Sequence, residues 1–149
     1  MAHLRKQIRD RFATVLAAGL PSNYDVYTMR SYALNHDTTR AVIDIKCLND
    51  QVRQREVMSD VRVRVASFYI RVQRGETEET LDDTLDADEV LITDLIEAED
   101  WSDLLEEDPE LLQVNFSDDS TGEYVIGSMI MRYDCEYHID KADPETRVD

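Results

Sequence analysis

The chain has 149 residues, 42% of them hydrophobic, with four glycines and three prolines. That is enough for one domain with a substantial core and few long loops. Acid exceeds base by 17 charges, which disfavours general affinity for nucleic acid, because phosphates are repelled. No apolar run approaches the roughly 18 residues of a membrane span, and the basic N-terminus lacks the apolar stretch of a signal peptide. Two cysteines, Cys47 and Cys135, do not make a disulfide scaffold and fit a reducing, cytoplasmic origin.

The charge is divided by sign. Residues 1–74 carry 13 Lys/Arg against 7 Asp/Glu, a net of +6, and residues 75–149 carry 3 against 26, a net of −23. Like charges crowded on one side destabilise a compact monomer. The same split orients association when the basic side of one copy meets the acidic side of the next. The plainer account is that acidic loops and helix faces happen to fall late in the chain.

Leu4, Ile8, Phe12, Val15 and Leu16 recur at helical spacing, which predicts an N-terminal helix with one apolar stripe. Gly19, before Leu20-Pro21, is expected to close it in a left-handed cap. Arg5, Lys6, Arg9 and Arg11 lie in its early turns, where the helix dipole disfavours positive charge. Strands are expected at Tyr24–Arg30 and at Arg40–Cys47, the second alternating cleanly, with Ala41, Ile43, Ile45 and Cys47 on one face. The polar stretches Ser31–Thr38 and Asn49–Glu56 read as loops.

Val61–Val72 is a long strand with a change of phase, because Val61, Val63 and Val65 share one parity and Ala66, Phe68, Ile70 and Val72 the other. A bulge near Val65–Ala66, or a twist between packed layers, accounts for it. Arg62, Arg64, Arg71 and Arg74 take its polar positions. Thr77–Ala98 is expected to be a helix buried along Leu81, Leu85, Ile92, Leu95 and Ile96. Its first turns are acidic, with Glu78, Glu79, Asp82 and Asp83, the sign that suits a helix N-terminus.

A short helix is expected at Trp101–Glu107. A hairpin follows, with strands Leu111–Phe116 and Tyr124–Ile139 around an Asp118–Gly122 turn. Residues 140–149 read as a charged flexible tail after a single domain, 1–139. The predicted class is α+β: a mostly antiparallel, mixed sheet flanked by the N-terminal and central helices, with a C-terminal hairpin.

Chemistry-bearing patterns are few. His3, His36 and His138 stand in no known arrangement with a nucleophile or carboxylate, and His138 falls on the polar face of a strand. The phosphate-binding glycine motifs and the C-x-x-C and H-E-x-x-H zinc patterns do not occur. Asp82, Asp83 and Asp86, and the pair Asp118-Asp119, lack the ligand order of a calcium loop. No catalytic, cofactor-binding or metal-binding residue is assigned, and an enzyme is not expected.

Several segments together resemble one family. They are AHLRKQIRDRFATVLAAGL, VYTMRSY, TTRAVIDI, VRVRVASFYIRVQ, TLDDTLDADEVLITDLIEA and SMIMRYDCEYHI. The pattern is similar to that of the tail terminator proteins of long-tailed bacteriophages, the group typified by the minor tail protein U of phage lambda. The resemblance runs from Ala2 to Ile139 and carries no catalytic residues.

It implies a sheet flanked by helices and six copies in a homo-hexameric ring. Such a ring caps the tail tube, ends its polymerisation and meets the head–tail connector or stopper protein. Genomic DNA passes through without tight binding. The resemblance implies no cofactor and no membrane, assembly in the host cytoplasm, and a final place in the virion at the tail–neck junction. A neighbouring neck or head-completion connector is the alternative. From a different class comes an acidic DNA mimic that blocks a host nuclease.

The charge split suggests a candidate subunit interface. Arg5, Lys6, Arg9, Arg11, Arg62 and Arg64 would face Glu78, Glu79, Asp82, Asp83 and Asp86 of the next copy, each exposed pair contributing only ~0.2–1 kcal/mol. The rival account leaves both groups solvated and lets apolar strand edges hold the ring.

Overall fold

A computed structural model describes residues 3–28, 41–55, 61–76, 78–121, 124–140 and 143–147. Helix α1 (Leu4–Gly19) buries Leu4, Ile8, Phe12, Val15 and Leu16, the stripe that the spacing predicts. The helix ends differently from expectation. Gly19 is its last helical residue, and Leu20 caps it in an extended conformation, φ −82° and ψ 151°. A side chain there would have to displace Leu95. A Cβ on Gly19 would stand 2.3 Å from Cδ2 of Leu95 on the neighbouring helix.

Strand β1 (Tyr24–Thr28) pairs parallel with β2 (Ala41–Arg55), from Tyr24↔Ala41 to Thr28↔Ile45. Met29, Arg30 and the expected loop Ser31–Thr38 lie outside the described residues. β2 continues well past Cys47, through the stretch Asn49–Arg55 that the sequence assigns to a loop. Polar residues do not end a strand when a neighbour supplies its backbone partners. Here β3 (Val61–Glu76) does so, as far as Arg55↔Arg62.

In the β2–β3 pair the bulges lie in β2, between Cys47 and Asn49 and between Val52 and Gln54, and β4 has one of its own against β5, between Leu111 and Gln113. β3 itself runs against β5 (Tyr124–Asp140) without interruption, from Val61↔Asp140 to Glu76↔Val125. The phase change in β3 is therefore a change of face along an unbroken strand. Ala66, Phe68, Ile70 and Val72 are buried under the helices, while Val63 and Val65 sit half-buried on the opposite face. By the same alternation, Arg62, Arg64 and Arg74 share the helix-covered face with the aliphatic run, and only Arg71 points the other way.

Helix α2 (Glu78–Ala98) lies on the same face as α1 and buries Leu81, Leu85, Ile92 and Ile96. Trp101, Leu104 and Leu105 are buried beyond it. The short helix expected there reduces to one turn, in which the Trp101 carbonyl accepts from the Leu104 and Leu105 amides at 3.0 and 2.8 Å. Strand β4 (Glu110–Thr121) then pairs antiparallel with β5 through to Thr121↔Tyr124. Residues 118–121, expected in the turn, are thus strand, and the connection shortens to residues 122 and 123. Strand β6 (Asp143–Arg147) pairs with the end of β5, inside the segment expected to be a loose tail.

The result is an α+β fold with strand order β1-β2-β3-β5-β4 and β6 pairing on β5. Among the described strands only β1–β2 is parallel. The core is a single layer between one sheet face and the two helices. Met129, Met131, Tyr133, Cys135, Tyr137 and Ile139 alternate into it from β5, as the period-2 pattern predicts. No helix among the described residues is long and apolar enough to cross a membrane.

Candidate functional site

Two carboxylates with nearly buried side chains, Asp88 and Asp50, organise the charge on the helix-covered side of the sheet. Asp88 of α2 is 1% exposed and sits three residues after Leu85 and four before Ile92, inside the apolar stripe. Arg74 grips it with two hydrogen bonds, Nε to Oδ2 at 2.6 Å and Nη2 to Oδ1 at 2.9 Å. The Tyr24 hydroxyl donates to the same carboxylate at 2.5 Å and accepts from Arg74 Nη2 at 2.8 Å. The guanidinium carbon also lies 5.1 Å from the Tyr24 ring centroid, within cation–π range. This cluster ties β1, β3 and α2 together at one end of the sheet.

Asp50 of β2 plays the same part at the other end. It accepts from Arg5 of α1 at 2.9 Å, from Arg64 of β3 at 3.1 and 3.0 Å, and from the Tyr137 hydroxyl of β5. Burial and the hydrogen bond to Asp50 push the Tyr137 phenol far above its ordinary range. His3 lies beside this cluster, its ring 6.5 Å from that of Tyr137 in an edge-on arrangement. Its Nδ1 caps α1 by accepting the Arg5 amide at 3.0 Å.

A protonated imidazole cannot accept that bond. Burial, then the charges of Arg5 and Arg64, lower the His3 pKa from its usual 6.5, with Asp50 opposing. A depressed folded pKa means that the contribution is complete above 6.5 and is lost as pH falls through the folded value. Thermal unfolding should therefore show a stability loss of about 1 kcal/mol, the size of an N-cap, as pH is lowered from neutrality through the histidine range. The His3→Asn variant, which keeps a cap acceptor but does not titrate there, should lack that loss.

The residues expected at a subunit interface are placed as follows. Arg5 and Arg64 hold Asp50. Lys6 pairs with Asp10 one turn away, at 2.6 Å. Arg11 makes a two-pronged contact with Asp103, at 3.1 and 2.6 Å, and lies 3.9 Å from Glu99. Those bonds hold the Asp103 carboxyl below its ordinary pKa. Arg9 is half-buried, and its Nε has no hydrogen-bond partner among the described residues. Arg62 is half-buried opposite Ile139. Asp82, Asp83 and Asp86 are exposed on α2. Glu78 and Glu79 open that helix, and their side chains lie outside the described set.

The structure does not bring the two groups together within one copy. Leu81, beside the acids, packs on Gly127 at the start of β5, whereas Arg64 sits opposite Tyr137 near its end. At ~3.3 Å per residue those positions are roughly 33 Å apart along the strand. Part of the charge split is answered inside the fold, by Arg11–Asp103 and Arg74–Asp88. Sequence reading missed both organising carboxylates. Asp88 had a signal, its position in the apolar stripe. Asp50 had none, because it lay in a stretch read as loop.

The second face of the sheet carries cross-strand polar pairs. Arg71 donates to Asp44 at 3.2 Å, Ser67 to Asp134 at 2.8 Å, and Arg132 to both Asp134 and Ser67 at 3.3 Å. A shallow depression of about 170 Å³ opens there between Lys46, Leu48, Tyr69 and Ile130. His138 lies 3.4 Å from Glu106 and is half-buried, not fully solvated. Both cysteines are free, and burial raises the pKa of each thiol, the direction of an unreactive cysteine. Among the described residues no group of three His, Cys, Asp or Glu side chains is placed to hold a metal ion. No protein-family model matches the chain, and no curated protein matches it.

Proposed function

We propose that this protein is a structural subunit of the bacteriophage tail-terminator type, which forms a ring on the end of a tail tube, stops its growth and presents a surface to the head–tail connector. The observation that carries the reading is the one-sided construction of the fold. Both helices cover one sheet face, and among the described strands the sheet ends laterally in two unlike ones, parallel β1 and antiparallel β4. Unlike sides favour heterologous, head-to-tail association, which closes into a ring when the rotation permits. Five of the six segments that carry the family resemblance fall on α1, β2, β3, α2 and β5, and the sixth, VYTMRSY, begins in β1 and runs beyond the described residues.

The test uses a polymerising tail-tube protein from the same phage. Added protein should shorten the tube-length distribution, and negative-stain electron microscopy should show a ring at tube ends. Unchanged tube lengths with bare ends would overturn the reading.

A further inference from the structure

We propose that the seam between α2 and β4 receives an extended segment of another protein, which adds as a strand to β4 and presents an apolar side chain flanked by Lys or Arg. The proposal concerns the isolated chain and goes beyond the ring reading, so it stands or falls whether or not rings form.

Helix α2 has two flanks. One faces α1 and β1, where Leu95 packs at Gly19 and Asp88 meets Tyr24. The other faces β4. There Leu81, Asp82 and Leu85 line a depression of about 130 Å³ together with Phe116 and Ser117. Helical spacing carries the line of Asp82 on through Asp86, Glu89 and Thr93. Asp82 and Asp86 are exposed and Glu89 is half-buried. Among the described residues the ion pairs of Lys and Arg go to other acids, Asp10, Asp44, Asp50, Asp88, Glu99, Asp103 and Asp134. The three carboxylates of this flank therefore keep their full charge.

The other wall of the seam is apolar and uncovered. Phe116 stands on the helix-side face of β4, in register with buried Met129, yet it is 53% exposed. Among the described strands β4 pairs only with β5, and Gln113, Asn115 and Ser117 are exposed beside Phe116. Residues 113–117 contain no charged residue and no proline, the usual guards of an open edge. The seam is unfinished in its polar chemistry too. The Tyr133 hydroxyl is buried without a hydrogen-bond partner among the described residues, and Glu97 and Glu89 of α2 are the foremost charges that bear on it. Buried donors are nearly always paired.

These features select the occupant. Open backbone on β4 takes an extended strand, as in other cases of strand addition. Alternate side chains of that strand share a face, so those on the helix side meet Phe116 and the flank of α2 in turn. An apolar side chain fits beside Phe116, Leu81 and Leu85. Lys or Arg two positions to either side of it meets Asp82, Asp86 and Glu89, which would repel an acidic segment.

Fluorescence anisotropy of a labelled synthetic peptide, Thr-Lys-Thr-Leu-Thr-Lys-Thr, tests this with the full chain. Binding should saturate and should weaken as salt screens the acids. Glutamate in place of both lysines, or N-methylation of alternate backbone amides, should each weaken it at least about tenfold. Asp82→Lys with Asp86→Lys should do the same, as should Phe116→Ser. Asp83→Lys with Asp94→Lys makes an equal change of net charge on the outer side of α2 and should leave binding within about twofold. All these positions are exposed, and far-ultraviolet circular dichroism checks that each variant keeps its fold. Bound peptide should slow amide exchange in residues 113–117.

A wild type that shows no saturable binding overturns the proposal. So does a probe that binds the Asp82→Lys, Asp86→Lys variant or the N-methylated backbone no more weakly. Unlabelled protein that displaces the probe while sedimenting above the 17.3 kDa chain mass would place a second copy in the seam and overturn the assignment to another protein. Tube capping decides the ring reading separately, and none of these outcomes bears on it.

Discussion

Asp88→Ala is expected to remove about 3–5 kcal/mol of folding stability, the cost of breaking a buried ion pair by deleting one partner. The loss arises on the arginine side. Arg74 is 8% exposed, and the substitution takes away both of its bonds to the carboxylate while leaving a buried guanidinium. The Tyr24 hydroxyl loses its acceptor in the same step. Domains of this kind are stable by only ~5–15 kcal/mol, so the variant should unfold at a clearly lower urea concentration.

Two companions separate charge from packing. Asp88→Asn keeps the shape and should fall between wild type and alanine. Arg74→Met with Asp88→Leu removes both charges and should recover most of the loss, because well-packed apolar residues replace buried ion pairs at little cost. A double variant no better than Asp88→Ala would show that the cluster matters for shape and not for paired charge.

Phe12→Ala should cost a similar amount, about 3–5 kcal/mol, through a different mechanism. Phe12 is fully buried, and three rings close around it: Trp101 at 4.7 Å between centroids, Phe68 at 5.5 Å and Tyr133 at 5.9 Å. Phe68 and Tyr133 stand on central strands that are paired on both sides, so neither can move in to fill the space. Trp101 is pinned by the bond from its Nε1 to the Ile96 carbonyl at 2.9 Å. The cavity therefore persists, and the loss is close to the full transfer and cavity cost. Phe12→Leu should cost much less. Urea unfolding gives the difference, and the near-ultraviolet dichroism of the aromatic cluster should weaken in the alanine variant. A loss under about 1 kcal/mol would mean that α1 contributes little to the core.

The helix stripes and the alternating strands were legible because they depend on local periodicity. Leu4, Ile8, Phe12 and Leu16 follow the helical turn, and Met129 to Ile139 follow the pleat. Each repeats often enough that burial of one face is the only economical outcome. The two bulges in β2 were not legible, and neither was the strand character of Asn49–Arg55. A polar strand is held by the backbone of its neighbour, which no residue of its own announces. The unbroken course of β3 was hidden for a related reason. Its valines change parity because Val63 and Val65 lie half-buried on the face away from the helices while Ala66 to Val72 face the core, not because the chain slips.

The candidate interface divides in the same way. Charge segregation between the two halves is a property of the sequence, and the sequence alone determined it. Which charges remain available was decided by the tertiary structure. Folding places Asp50 within reach of Arg5 and Arg64, Asp103 beside Arg11, and Asp88 beneath Arg74, pairs separated by 14 to 92 positions along the chain. Desolvation makes such contacts decisive, because a charge buried without a partner is far more costly than one left in water. Local sequence specifies helices, strands and net charge, and only the packed sheet determines which side chains are left facing solvent.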